Sequence, residues 1–84
     1  MHHDAMKEKE IKRIANSVTQ VELVRNDAKK WELHFAVTYQ EEKEVLTSYY
    51  AGSVREWLDV KKALHKVEEL LPNVKRVVLI FNKG

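Results

Sequence analysis

The side chains in this sequence that could do chemistry are four histidines, thirteen carboxylates and fifteen lysines and arginines. At the N-terminus, Met1-His2-His3 offers a free amine, two backbone amides and the His3 imidazole, four nitrogens suited to planar Cu(II) or Ni(II). The competing reading is an incidental terminus; we adopt it, expect residues 1–3 to be disordered, and assign no metal. His34 alternates with apolar residues and belongs on the outer face of a strand, while His65 falls off the apolar stripe of a helix. Neither has a Ser, Asp or Glu at a spacing diagnostic of a base with its orienting group. Glu41, Glu42 and Glu44 cluster at one sheet end and Glu68-Glu69 sit on a helix. A carboxylate pair for acid–base work needs a pocket that separates its two pKa values, which a turn tip and a solvated helix face do not provide. There is no cysteine, hence no disulfide and no thiolate metal site. The two glycines, Gly52 and Gly84, make no phosphate-cradling loop. The expectation is a protein that is not an enzyme, with no catalytic residue, no cofactor and no metal.

Two surface chemistries remain. Lys29-Lys30, Lys61-Lys62 and Lys75-Arg76 are adjacent basic pairs, Lys66 adds to them, and Arg55 lies near Gly52. In a meander the turns at 26–30 and at Gly52 share one sheet end, so Lys29, Lys30 and Arg55 would line one edge, with Tyr49 or Tyr50 placed to stack on a base. Lys29, Lys30, Arg55, Lys61 and Lys62 are therefore the candidate nucleic-acid contacts. Glu22 and Glu32 on the outer sheet face and a net charge of +2 weigh against them. The second chemistry is apolar. Seven aromatics in 84 residues, outward-facing Val24 and Ala36, and a last strand apolar on both sides exceed what one core requires. Val24, His34, Ala36, Val78 and Ile80 are the candidate interface, for a second copy of the chain or another protein.

The elements that position these groups are read from periodicity. Trp31, Leu33, Phe35, Val37 and Tyr39 alternate with Glu32, His34, Ala36 and Thr38, which makes residues 31–39 a strand with one buried face. It is expected to be the middle of the sheet. Residues 4–15 read as a short helix capped by Asp4, with Glu8 and Lys12 four apart. Residues 18–25 form a strand with Thr19, Val21 and Leu23 inward. Asn26-Asp27 supplies turn chemistry, and a third strand spans 44–50. Beyond it two readings compete. Gly52-Ser53 makes a hairpin turn into a short strand at 54–57, followed by a helix capped by Asp59 and running to Leu71. Alternatively Ser53 and Glu56 form a capping box and one long helix begins at Val54. We favour the hairpin. Val60, Ala63, Leu64, Val67, Leu70 and Leu71 give an apolar stripe either way. Pro72 stops the helix, and 74–81 is a final strand needing cover on both faces.

The segment Gly52-Ser53-Val54-Arg55-Glu56-Trp57-Leu58-Asp59-Val60-Lys61-Lys62-Ala63-Leu64 resembles a pattern in small proteins of bacterial plasmids and other mobile elements. There a Gly turn leads through a Val-Arg-x-aromatic strand into a capped helix carrying an Ala. The resemblance implies a helix start at Asp59 and a bacterial accessory protein. The order helix, three strands, helix is also similar to the double-stranded-RNA-binding domain, whose lysine signature opens its second helix near where Lys61-Lys62 fall; here a final strand follows.

Length bounds the rest. Eighty-four residues make a single α+β domain over 1–84, with stability of about 4–12 kcal/mol. The longest apolar run, residues 77–81, is far too short to cross a bilayer, and the N-terminus lacks a signal-peptide apolar block. Cytoplasmic residence is the expectation, with no membrane contact. The expected fold is an N-terminal helix, a three- to four-stranded antiparallel meander, a long amphipathic helix and a C-terminal strand completing one sheet. The expected function is a small interaction or adaptor domain acting as a homodimer. The alternative is a nucleic-acid-binding accessory or regulatory protein using its Lys/Arg edge.

Overall fold

The computed structural model describes residues 5–39, 41–47 and 54–81. Its centre is the antiparallel pair β2 (Val18–Arg25) and β3 (Trp31–Val37). Register places Val21 opposite Phe35 and Leu23 opposite Leu33, and all four side chains are sealed from solvent on what becomes the inner face. Glu22 opposite His34 and Val24 opposite Glu32 fall on the outer face. A bulge between Val18 and Gln20 leaves Thr19 as the extra residue. It moves Val18 into register with inward-facing Val37, so Thr19 is exposed instead of inward.

The link between these strands is held by Asn26. Its Oδ1 accepts from the backbone N–H groups of Ala28 and Lys30, both at 3.0 Å, and Lys29 closes the loop at φ 61°. Asn26 Nδ2 also donates to Glu32 Oε2 at 3.0 Å and to Glu56 Oε2, so one side chain ties the turn to two strands.

Along the far edge of β3 lie β4 (Glu44–Leu46) and β5 (Glu56–Trp57), both antiparallel to it. They run in the same direction, so β5 continues the line of β4 and is not its hairpin partner. Thr47 bridges Val54, and the Arg55 N–H donates to the Leu46 carbonyl at 2.9 Å, closing the neck of the intervening excursion. The Gly52-Ser53 turn lies outside the described residues. Two further strands run parallel to their neighbours: β1 (Ala5–Met6) beside β4 and β6 (Val77–Ile80) beside β2. The order is β1-β4-β3-β2-β6, with β5 on β3. The sheet is thus mixed, where an antiparallel meander was expected. The reason is the second helix, which carries the chain back along the sheet so that β6 starts from the same end as β2.

That helix, α2 (Val60–Leu70), is capped by Asp59, whose Oδ1 accepts from the Lys61 N–H at 2.8 Å. Ala63, Val67 and Leu70 on α2, with Leu71 beyond it, are buried against Leu33, Phe35 and Leu46 in one core. Each of these side chains larger than alanine contributes roughly 1.5–3 kcal/mol by leaving water. The first helix, α1 (Glu8–Arg13), is six residues long and followed by a 3-10 turn, Ala15–Ser17. It starts later than residues 4–15 predict, because Ala5–Met6 is drawn into the sheet and the Lys7 backbone caps the helix through the Glu10 carboxylate at 3.0 Å. Asp4, the expected cap, lies outside the described residues. Ile11 joins the same core as α2, so both helices pack on the inner face. Among the described residues, none belongs to a helix covering the outer face.

Three further expectations are corrected. β3 ends at Val37, and Tyr39, expected at the buried end of the strand, is exposed in the turn that follows. Glu44, expected at a solvated turn tip, is buried opposite Phe35. The last strand is not buried. β6 is an edge strand, four residues long, with Val78 44 % and Leu79 39 % exposed. A small domain with two short helices on one face cannot cover a strand at the sheet margin.

Candidate interaction surface

The five residues singled out as a candidate interface fall on one surface. Val24 from β2, His34 and Ala36 from β3, and Val78 and Ile80 from β6 all lie on the outer face, with Val24 and Ile80 directly in register. Val45 of β4 joins them opposite His34. The period of two places these residues together, because alternate side chains of neighbouring strands share a face.

Through the middle of this face runs a polar network. Glu22 is 7 % and Glu32 8 % exposed, low values for carboxylates on a face that none of the described helices covers. Glu22 Oε2 accepts from Lys43 Nζ at 2.6 Å and from Gln20 Nε2 at 3.0 Å. His34 Nε2 lies 2.9 Å from Glu32 Oε1. Burying a carboxylate is costly unless it is paired and hydrogen-bonded, and each of these two is met by neighbours on its own face. The sequence signalled the position of Glu22 and Glu32 but not their partners. Lys43 sits in the turn before β4, and only the folded register brings it to Glu22. Val24, expected to be outward, does point outward, yet its neighbours leave it nearly buried.

The candidate nucleic-acid contacts divide. Lys29 and Lys30 lie in the β2–β3 turn, and Lys61 and Lys62 open α2. Because Trp57 pairs with Trp31, the chain enters α2 at the sheet end that carries this turn, so the four lysines share one end of the molecule. Arg55 lies further down the β3 edge. Its Nη1 donates to Glu8 Oε2 at 2.6 Å, and its guanidinium stacks 5.1 Å from the centroid of the Trp57 ring. Lys66 reaches the same Glu8 oxygen at 3.4 Å and Glu69 at 3.2 Å. Burial raises the Glu8 pKa, but the Arg55 hydrogen bond and the charges of Lys66 and Arg55 outweigh it and hold the carboxyl below 4.5. Arg55 and Lys66 therefore pin α1 to β5 and α2. Tyr49 and Tyr50, the expected stacking partners, and Met1-His2-His3 lie outside the described residues.

Two concavities flank β6. One, of about 680 Å³, lies between α2 and β6 on an apolar floor of Leu64, Val67, Leu71, Val74 and Val77, rimmed by Lys61, His65, Lys75 and Arg76. The other opens at the start of β2 and β6, around Val18, Gln20, Val74 and Val78. Leu79 and Phe81 add exposed apolar surface at β6, Phe81 standing edge-on to Trp31 at 5.3 Å while 63 % exposed. Neither was among the candidate interface residues, since an inward-facing position on the last strand reads as core. Among the described residues no three His, Asp or Glu side chains converge as a metal site, and no helix is long and apolar enough to cross a membrane.

Comparison of the chain with models of known protein families, with curated proteins and with solved structures found no match.

Proposed function

We propose that this chain is a small, non-enzymatic interaction module that works as a homodimer, an accessory protein of the mobile-element type in a bacterial cytoplasm. The observation that carries the reading is β6, an edge strand whose apolar side chains are exposed on both faces. On its outer side Ile80 lies in register with Val24 of β2. Exposed apolar surface on a small domain with an otherwise interleaved charge pattern marks a site for another protein surface. The source and setting rest on the resemblance of residues 52–64 to mobile-element proteins, and the Asp59 cap agrees with the helix start in that pattern. Light scattering at tens of micromolar is expected to give twice the chain mass. A strict monomer, with no protein retained in a pulldown, would sink the reading.

A second reading is favoured by the four lysines at one end of the molecule. In it, Lys29, Lys30, Lys61 and Lys62 contact the phosphates of a nucleic acid, with Arg55 held back by Glu8. Gel shifts against single- and double-stranded DNA and RNA test it. Binding at low salt that disappears on charge reversal at Lys61 and Lys62 supports it, and absence of binding at low salt overturns it.

A further inference from the structure

We infer that the outer edge of β6 pairs antiparallel with β6 of a second copy, about a two-fold axis at Leu79, so that two sheets become one. This rests on the homodimer reading and names its interface. In the order β1-β4-β3-β2-β6, β6 has β2 on one side and, among the described residues, no strand on the other. Alternate N–H and C=O groups of Val77–Ile80 are directed to that open side, a template for a further strand. β6 carries no charge, proline or glycine to block such pairing.

What fits the template is narrowly defined. The incoming strand must be apolar on both faces, because β6 is exposed on both. The longest uninterrupted apolar run in this chain is residues 77–81 itself, so the strand is its own best complement. A two-fold axis normal to the sheet keeps inner face with inner face. Centred on Leu79, it sets Leu79 against Leu79, Val78 against Ile80 and Val77 against Phe81, with every pair apolar. Moving the centre to Val78 would set Arg76 against Ile80. The antiparallel sense also keeps the two Arg76 side chains apart. The two Arg76 residues stand six positions apart along the strands, roughly 20 Å. That is more than twice the screening length of about 8 Å at physiological salt. A parallel pair would hold both Lys75-Arg76 pairs side by side. The register brings Phe81 of the second copy, already largely exposed, to Val77 at the edge of the groove between α2 and β6. An edge this short makes a small interface, of the weak or transient class.

The chain has no cysteine, so Leu79→Cys introduces a single thiol at the axis. Treatment with a short bis-maleimide at tens of micromolar protein is expected to convert most of this variant to covalent dimer. Lys12→Cys, on α1 away from the edge, is the collision control and should stay monomeric. Leu79→Lys places like charges opposite each other and should weaken the dimer at least about tenfold in sedimentation velocity. Its circular dichroism reports whether it is folded; if it is not, the cross-link decides. A wild-type dimer in which Leu79→Cys cross-links no more than Lys12→Cys overturns the β6 pairing and leaves the homodimer reading standing. A wild-type monomer overturns both.

Discussion

Glu8 illustrates how one carboxylate can hold a small domain together at its margin. It receives Arg55 from the residue before β5 and Lys66 from α2, and its pKa is lowered despite partial burial. A depressed carboxyl pKa contributes stability that is present above the unfolded value and lost as pH falls through the folded one. Glu8→Gln should therefore lower stability at neutral pH by about 0.5 kcal/mol, a screened surface value. The difference should vanish in denaturant titrations run well below pH 4.5. Lys29 makes a second prediction. Its φ of 61° is costly for a residue with a Cβ and free for glycine. Lys29→Gly should raise stability by about 0.5 kcal/mol, the relief exceeding the extra freedom of the unfolded chain. No loss of folding on urea titration is expected. The turn at Asn26-Asp27 was legible from residue type. That Asn26 would also bind Glu32 and Glu56 was not, because those contacts span 6 and 30 residues.

At the scale of elements, local patterns read well where one face met the core. β2 matches residues 18–25, and β3 matches 31–39 apart from its last two positions, because strict alternation at a sealed core has one solution. The start of α2 was legible through the Asp59 cap, and Asp59→Ala should cost about 1 kcal/mol in a denaturant titration. Leu33→Ala, at the fully buried crossing of β3 and α2, should cost about 3 kcal/mol, a large part of the stability of a domain this size. Two marginal elements differ from expectation in different ways. Ala5–Met6 reads as helix, but pairing with β4 decides its conformation; Val77–Ile80 reads correctly as strand, but its burial does not. A continuously apolar strand usually means burial on both faces; here the same composition lies on an edge.

For the whole molecule, the proposed pairing of β6 would make folding and association one equilibrium. If β6 joins two copies, the melting temperature should rise with protein concentration, since the dimer stabilises the native state by mass action. Leu79→Lys should flatten that dependence while retaining the wild-type spectrum. What the sequence by itself determined is what depends on neighbours along the chain. Alternation set the two faces of the central strands, Asn26 and Asp59 marked a turn and a helix start, and residue chemistry set the absence of disulfides and thiolate metal sites. Tertiary structure decided what depends on direction and distance. It turned β6 parallel to β2, laid β5 end-on to β4, put both helices on one face, and gave Glu22 and Glu8 their cations. Those choices follow from where a helix returns the chain and how far two short helices can cover a sheet. Among the described residues they leave the outer side of β6 without a neighbouring strand.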